Sequence, residues 1–66
     1  MISLKNIILV KNLDNKEKAS NIEEALAETR VDYEVNIDKQ CVIIFGNNDM
    51  VAVARNVISG LGYMIL

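Results

Sequence analysis

Apolar and polar residues alternate strictly over one stretch of the chain, from residue 31 to residue 38. The apolar members of this stretch are Val31, Tyr33, Val35 and Ile37. Because successive side chains of a strand point to opposite faces, the alternation predicts a strand with one dry and one wet face. Apolar runs rich in β-branched residues predict further strands at residues 4–10 and 41–45. Residues 63–66 are predicted to form a last short strand.

Two other segments repeat their apolar residues at helical spacing, which is typical of helices with one buried face. Asp14 is predicted to cap the first helix, with Glu17 as its capping-box partner. The second helix follows a polar break at residues 46–49, and Gly60 and Gly62 are predicted to end it. The predicted buried positions are Ala19, Ile22, Ala25, Leu26 and Thr29 in the first helix and Met50, Val53, Ala54, Val57, Ile58 and Leu61 in the second.

The predicted order of elements is therefore βαββαβ. Two interleaved βαβ units with right-handed crossovers favour the ferredoxin-like fold of the α+β class. This fold is a two-layer sandwich with a four-stranded antiparallel sheet and both helices on one face. Residues 1–66 are expected to form a single domain. A chain of this length buries only about 60% of its unfolded surface, so a partner that added burial would stabilise it.

Composition argues against several classes of function. The net charge of −2 argues against a nucleic-acid surface, which needs a basic patch. No apolar run approaches the ~20 residues that span a bilayer, and no signal-peptide pattern opens the chain. The chain has no histidine and no glycine-rich phosphate loop before a helix, so we expect no enzymatic activity. Its single cysteine cannot form an internal disulfide, so a cytoplasmic location is expected.

Three short motifs occur in the order and near the spacing of a known family. They are Ile22-Glu23-Glu24-Ala25-Leu26, Val35-Asn36-Ile37 and Leu61-Gly62-Tyr63-Met64-Ile65. With these motifs the chain resembles the heavy-metal-associated domains of copper chaperones and metal-transporting ATPases. The resemblance covers nearly the whole chain, although the segment between Leu26 and Val35 is about two residues shorter than in the family. It implies a metal-binding loop at residues 12–18.

The loop that this resemblance implies is degenerate, because it lacks the family's two cysteines. The residues that replace the family's motif are Asn12, Leu13, Asp14, Asn15 and Lys18. Asn15 and Lys18 stand where the cysteines would be, and they offer an amide and a protonated ammonium where copper(I) prefers thiolates. Asp14 and Glu17 could hold a hard cation weakly, but both are better explained as acids near a helix N-terminus. We therefore expect no metal ion or other cofactor at this loop.

The central strands of the predicted sheet are apolar on both faces. This predicts that the open face, which the helices do not cover, is also apolar. One side-chain parity turns Ile8, Val10, Val42 and Ile44 toward the helices and Ile7, Leu9, Cys41, Ile43 and Phe45 toward solvent. The opposite parity changes the exposed set but leaves it apolar. Such a patch often marks an interface, so we predict a homodimer or partner contact there. The candidate interaction residues are Ile7, Leu9, Ile43 and Phe45 on the sheet and Lys16 and Lys18 near the loop.

Three functional classes remain open. The first is a non-enzymatic interaction or self-associating module related to the heavy-metal-associated domains. The second is an accessory protein for Cu⁺ or Zn²⁺ with an atypical site, or with a metal bridged between chains by Cys41. The third is a small-ligand sensor of the ferredoxin-like type, which would usually use a glycine-rich loop at a dimer interface. No such loop is evident in the sequence.

Overall fold

The computed structural model describes residues 5–66. Its elements are β1 (Lys5–Leu9), α1 (Lys16–Ala27), β2 (Asp32–Asn36), β3 (Cys41–Phe45) and α2 (Asn48–Gly60). Strand β3 lies between β1 and β2 and runs antiparallel to both. Residue 4, the predicted start of the first strand, lies outside the described residues. Within residues 5–66 the protein is thus a small α+β fold with a three-stranded sheet and two helices.

The prediction of a four-stranded ferredoxin-like sheet is wrong, because the sheet within residues 5–66 has three strands. In place of a fourth strand, residues 63–66 form one isolated bridge between Ile65 and Val10. The Lys11 N–H donates to the carbonyl of Met64 at 2.8 Å, and the Leu66 N–H donates to the carbonyl of Leu9 at 2.9 Å. The turn after α2 extends through residue 62, so the extended segment overlaps only the end of β1 and its pairing stops at a single bridge.

The core lies between the sheet and the two helices. Its members show which side chains of the strands face the helices. Ile8, Val10, Val42 and Ile44 are buried in one cluster with residues of both helices. From the helices and the loop before α1, the cluster includes Leu13, Ala19, Ile22, Leu26, Ala54 and Ile58. Both helices therefore cover the same face of the sheet, and the structure has the first of the two parities considered above.

The helices differ from the predicted ones at several positions. Helix α1 ends at Ala27, so Thr29 follows the helix and donates its hydroxyl to the carbonyl of Leu26 at 2.6 Å. Val53 of α2 and Leu61, the residue that follows the helix, were predicted to be buried, but both are exposed. Gly62 follows the helix with a φ of 94°, a left-handed conformation that suits glycine.

Neither helix of the described part of the chain, residues 5–66, combines the length and the apolar composition needed to cross a bilayer.

Candidate functional site

The ammonium of Lys18 holds together the loop that precedes α1. Its Nζ donates to the carbonyl oxygen of Asn12 at 2.9 Å and to Oδ1 of Asp14 at 3.1 Å. Asn12 has a φ of 65°, a left-handed conformation that asparagine tolerates better than most residues. Because Lys18 is the third residue of α1, its side chain ties the loop to the first turn of the helix.

The predicted N-cap at Asp14 is wrong, and Asn15 occupies that position. Oδ1 of Asn15 accepts the backbone N–H of Lys18 at 2.8 Å, and the backbone of Asn15 is extended, as a cap requires. The residue three positions after the cap is Lys18, so the predicted capping box with Glu17 is absent. Asp14 lies one residue too early to cap, and its carboxylate pairs with Lys18.

The loop offers a poor set of ligands for a metal ion. Leu13 offers no donor atom, because its side chain is fully buried in the core. Lys18 brings a positive charge to the same carbonyl and carboxylate oxygens that a hard cation would need. Among residues 5–66, no group of three or more histidine, cysteine, aspartate or glutamate side chains is arranged to hold a metal ion. The donors present therefore do not fit Cu⁺ or Zn²⁺.

The two candidate lysines near the loop are not equivalent. Lys16 is exposed at the first position of α1. Lys18 is half-buried, and its charge is paired with Asp14. Since part of its charge is already matched within the chain, Lys18 offers less to an acidic partner than Lys16 does.

The open face of the sheet consists of three cross-strand rows, each read from β1 through β3 to β2. The rows are Lys5–Phe45–Asp32, Ile7–Ile43–Glu34 and Leu9–Cys41–Asn36. The four sheet residues predicted to form an interaction surface are brought together in these rows.

The side chains of the open face differ in how far they reach into solvent. Ile7 is 60% exposed and Leu9 is 47% exposed. Ile43 and Cys41, their partners on the central strand, are only 7% and 3% exposed. The central strand has a neighbouring strand on each side, which explains why its open-face side chains are shielded although no helix covers that face. The solvent contact of this surface therefore comes mainly from β1.

Two exposed residues of this surface were missed from the sequence, Met64 at 61% and Leu66 at 71% exposed. Ile65 pairs with Val10 and packs against the core, so alternation along the extended segment puts Met64 and Leu66 on the opposite side. They extend the open face beyond β1.

The apolar residues of this face are together called the apolar strip, which consists of Ile7, Leu9, Ile43, Phe45, Met64 and Leu66.

Charge is distributed unevenly around the apolar strip. Asp32 and Glu34 point from β2 onto the open face and are exposed, forming an acidic column along one edge. Lys5 is exposed on β1, on the other side of β3. One edge of the face is thus acidic and its centre is apolar. At the opposite side, Arg55 of α2 lines a cleft together with Ile7, Leu9 and Leu66.

The chain was compared with protein families, curated proteins and solved structures, and it matches no family model, no curated protein and no solved structure. The resemblance to heavy-metal-associated domains therefore rests on the sequence motifs alone and stays a prediction.

The cap of α1 can be tested by removing each candidate side chain. Asn15→Ala should lower the free energy of unfolding by about 1 kcal/mol, because it leaves an N–H of the first turn without its side-chain acceptor. Asp14→Ala, the matched control, should cost no more than about 0.5 kcal/mol, because its ion pair is partly exposed. Urea unfolding measures both. A larger loss for Asp14→Ala would contradict the assignment of the cap.

Metal binding at the loop can be tested by titrating Cu(I) and Zn(II) into the protein. The backbone amide signals of residues 12–18 should not shift, because the loop has no thiolate or imidazole. A Cys41→Ser variant shows whether any metal binding comes from the lone thiol and not from the loop. A double variant, Asn15→Cys with Lys18→Cys, serves as a positive control. Shifts at residues 12–18 of the unmodified chain that saturate at stoichiometric metal would overturn this prediction.

Proposed function

We propose that this protein is a non-enzymatic interaction module that self-associates through the apolar strip on its open sheet face. One observation carries the proposal. Residues 5–66 contain six exposed large apolar side chains, and four of them lie on this strip. They are Ile7, Leu9, Met64 and Leu66. Singly exposed apolar residues are ordinary, whereas a contiguous group of this kind is typical of an interface.

The size of the domain supports self-association. A standard interface buries about 800 Å² on each partner, which is about a sixth of the 4628 Å² that the monomer exposes. One face of a two-layer domain of this size has an area of that order. A chain of 66 residues has a small core, so covering a second face adds burial that the monomer lacks.

The energies favour a reversible complex over a permanent one. Burying a large apolar side chain completely contributes about 1.5–3 kcal/mol, and the side chains of the strip are already partly covered in the monomer. Association costs at least about 4 kcal/mol in translational and rotational freedom. A net gain of about 4 to 8 kcal/mol would correspond to dissociation constants of roughly millimolar to micromolar.

The proposal includes a cytoplasmic location and no catalytic role. Cys41 is a free thiol, which is typical of a reducing compartment. The complete absence of histidine from the chain removes the commonest general base.

Self-association should be lost when the strip becomes charged. In sedimentation equilibrium from micromolar to millimolar concentration, the unmodified chain should change reversibly from monomer to dimer. Ile7→Lys with Leu9→Lys should stay monomeric throughout, because dimer formation would bury two unpaired charges per copy.

The matched control is Val53→Lys with Leu61→Lys. These side chains are 42% and 43% exposed, close to the exposure of Leu9, but they lie on or next to α2 and away from the open face. The control should dimerise like the unmodified chain. A monomeric unmodified chain, or equal losses in both double variants, would refute the proposal.

A further inference from the structure

We infer that the two copies pack face to face about a two-fold axis that runs parallel to the strands, between β1 and β3. Strand β1 of each copy then covers β3 of the other. This inference rests on the proposed self-association and specifies its geometry. Because a dimer of identical faces is isologous, its two-fold axis lies in the plane of the interface. The axis can run across the strands or along them, and the charges on the face distinguish the alternatives.

An axis that runs across the strands superposes every strand on its own copy. The acidic column then meets itself, so Asp32 and Glu34 of one copy face the same strand of the other. Like charges brought together across an interface oppose association. This orientation is therefore disfavoured.

An axis parallel to the strands and directly over β3 superposes β1 on β2 of the second copy. Row by row, Ile7 then covers Glu34, and Leu9 covers Asn36. A carboxylate buried against an isoleucine loses its water and gains no cation in return. The pairing of Lys5 with Asp32 at the end of the face does not remove this penalty.

An axis parallel to the strands and directly over β1 superposes that strand on itself. Ile7 then meets Ile7 of the second copy, but Lys5 meets Lys5. Strand β3 would face the side of β1 that carries the C-terminal segment, which overlaps only the end of β1. Ile43 and Phe45 would therefore gain little cover, and two ammonium groups would be brought together.

An axis between β1 and β3 avoids these conflicts. Ile7 covers Ile43 of the second copy, Leu9 covers Cys41, and the aliphatic stem of Lys5 covers Phe45 with its ammonium near the ring. Packed sheets lie about 10 Å apart and cross at about −30°, so these pairs are approximate neighbours. Leu66, beside Leu9, lies near Asn36 of the second copy.

The acidic columns of the two copies then lie at opposite outer rims of the interface, where Asp32 and Glu34 keep their water. This arrangement gives the apolar centre and polar rim that are typical of protein interfaces. It also covers the open face of β3, the central strand, which has no helix on that side.

Complementation between two variants tests the pairing of Ile7 with Ile43. Ile7→Glu and Ile43→Lys should each stay monomeric at concentrations where the unmodified chain is a dimer. An equimolar mixture should associate at least about tenfold more tightly than either variant alone. In the mixed dimer, one contact is Glu with Lys and the other is the original isoleucine pair. An axis over β1 or over β3 predicts no such rescue.

A second measurement needs no substitution, which matters because Ile43 is buried and its replacement by lysine could unfold β3. In a mixture of isotope-labelled and unlabelled unmodified chains, filtered NOE spectra should connect the methyl groups of Ile7 and Ile43 between copies. If the Ile43→Lys variant lacks the circular dichroism of the folded chain, this spectrum alone decides.

The outcomes separate this inference from the proposed function. A dimer without rescue on mixing folded variants, or with intermolecular contacts only from Ile7 to Ile7, overturns the arrangement and leaves self-association standing. A chain that stays monomeric at millimolar concentration overturns both.

Discussion

Burial of the central strand β3 is the constraint on which the rest of the structure depends. Its residues Cys41, Val42, Ile43 and Ile44 are all buried, although helices cover only one face of the sheet. On the helix side, Val42 and Ile44 complete the core with α1 and α2. On the open side, Ile43 pairs with Ile7 and Glu34, and Cys41 pairs with Leu9 and Asn36. Two of these neighbours, Ile7 and Leu9, are themselves largely exposed.

Much of this fold could be predicted from periodicity, because alternation at residues 31–37 and helical spacing in the two helices reflect which faces are buried. The fourth strand could not, since whether residues 63–66 form a strand or a bridge depends on how far they overlap β1. The position of the α1 cap was also ambiguous, because Asp14 and Asn15 are adjacent and both residue types cap helices.

The parity of the central strands was left undecided for a physical reason. Runs such as residues 41–45 are apolar on both faces, so no alternation marks which side chains face the helices. The same property made the open face predictable as apolar, whichever parity held. Met64 and Leu66 were missed because their place beside β1 depends on a tertiary pairing, which no local pattern of the sequence indicates.

The loop before α1 shows how a side-chain charge can organise a segment within the chain. Lys18 binds a carbonyl and a carboxylate that are close in sequence, and Leu13 anchors the loop in the core. The exposed apolar strip is the feature of the described residues on which the proposed self-association rests.

The most direct test of this account is the protection of the Ile7 methyl group from a soluble paramagnetic probe as the protein is concentrated. At micromolar concentration, the probe should broaden the methyl signals of Ile7 and Val53 alike, because both side chains are exposed in the monomer. At millimolar concentration the signal of Ile7 should become protected, whereas that of Val53 should not change. Equal broadening of Ile7 at both concentrations would contradict the account.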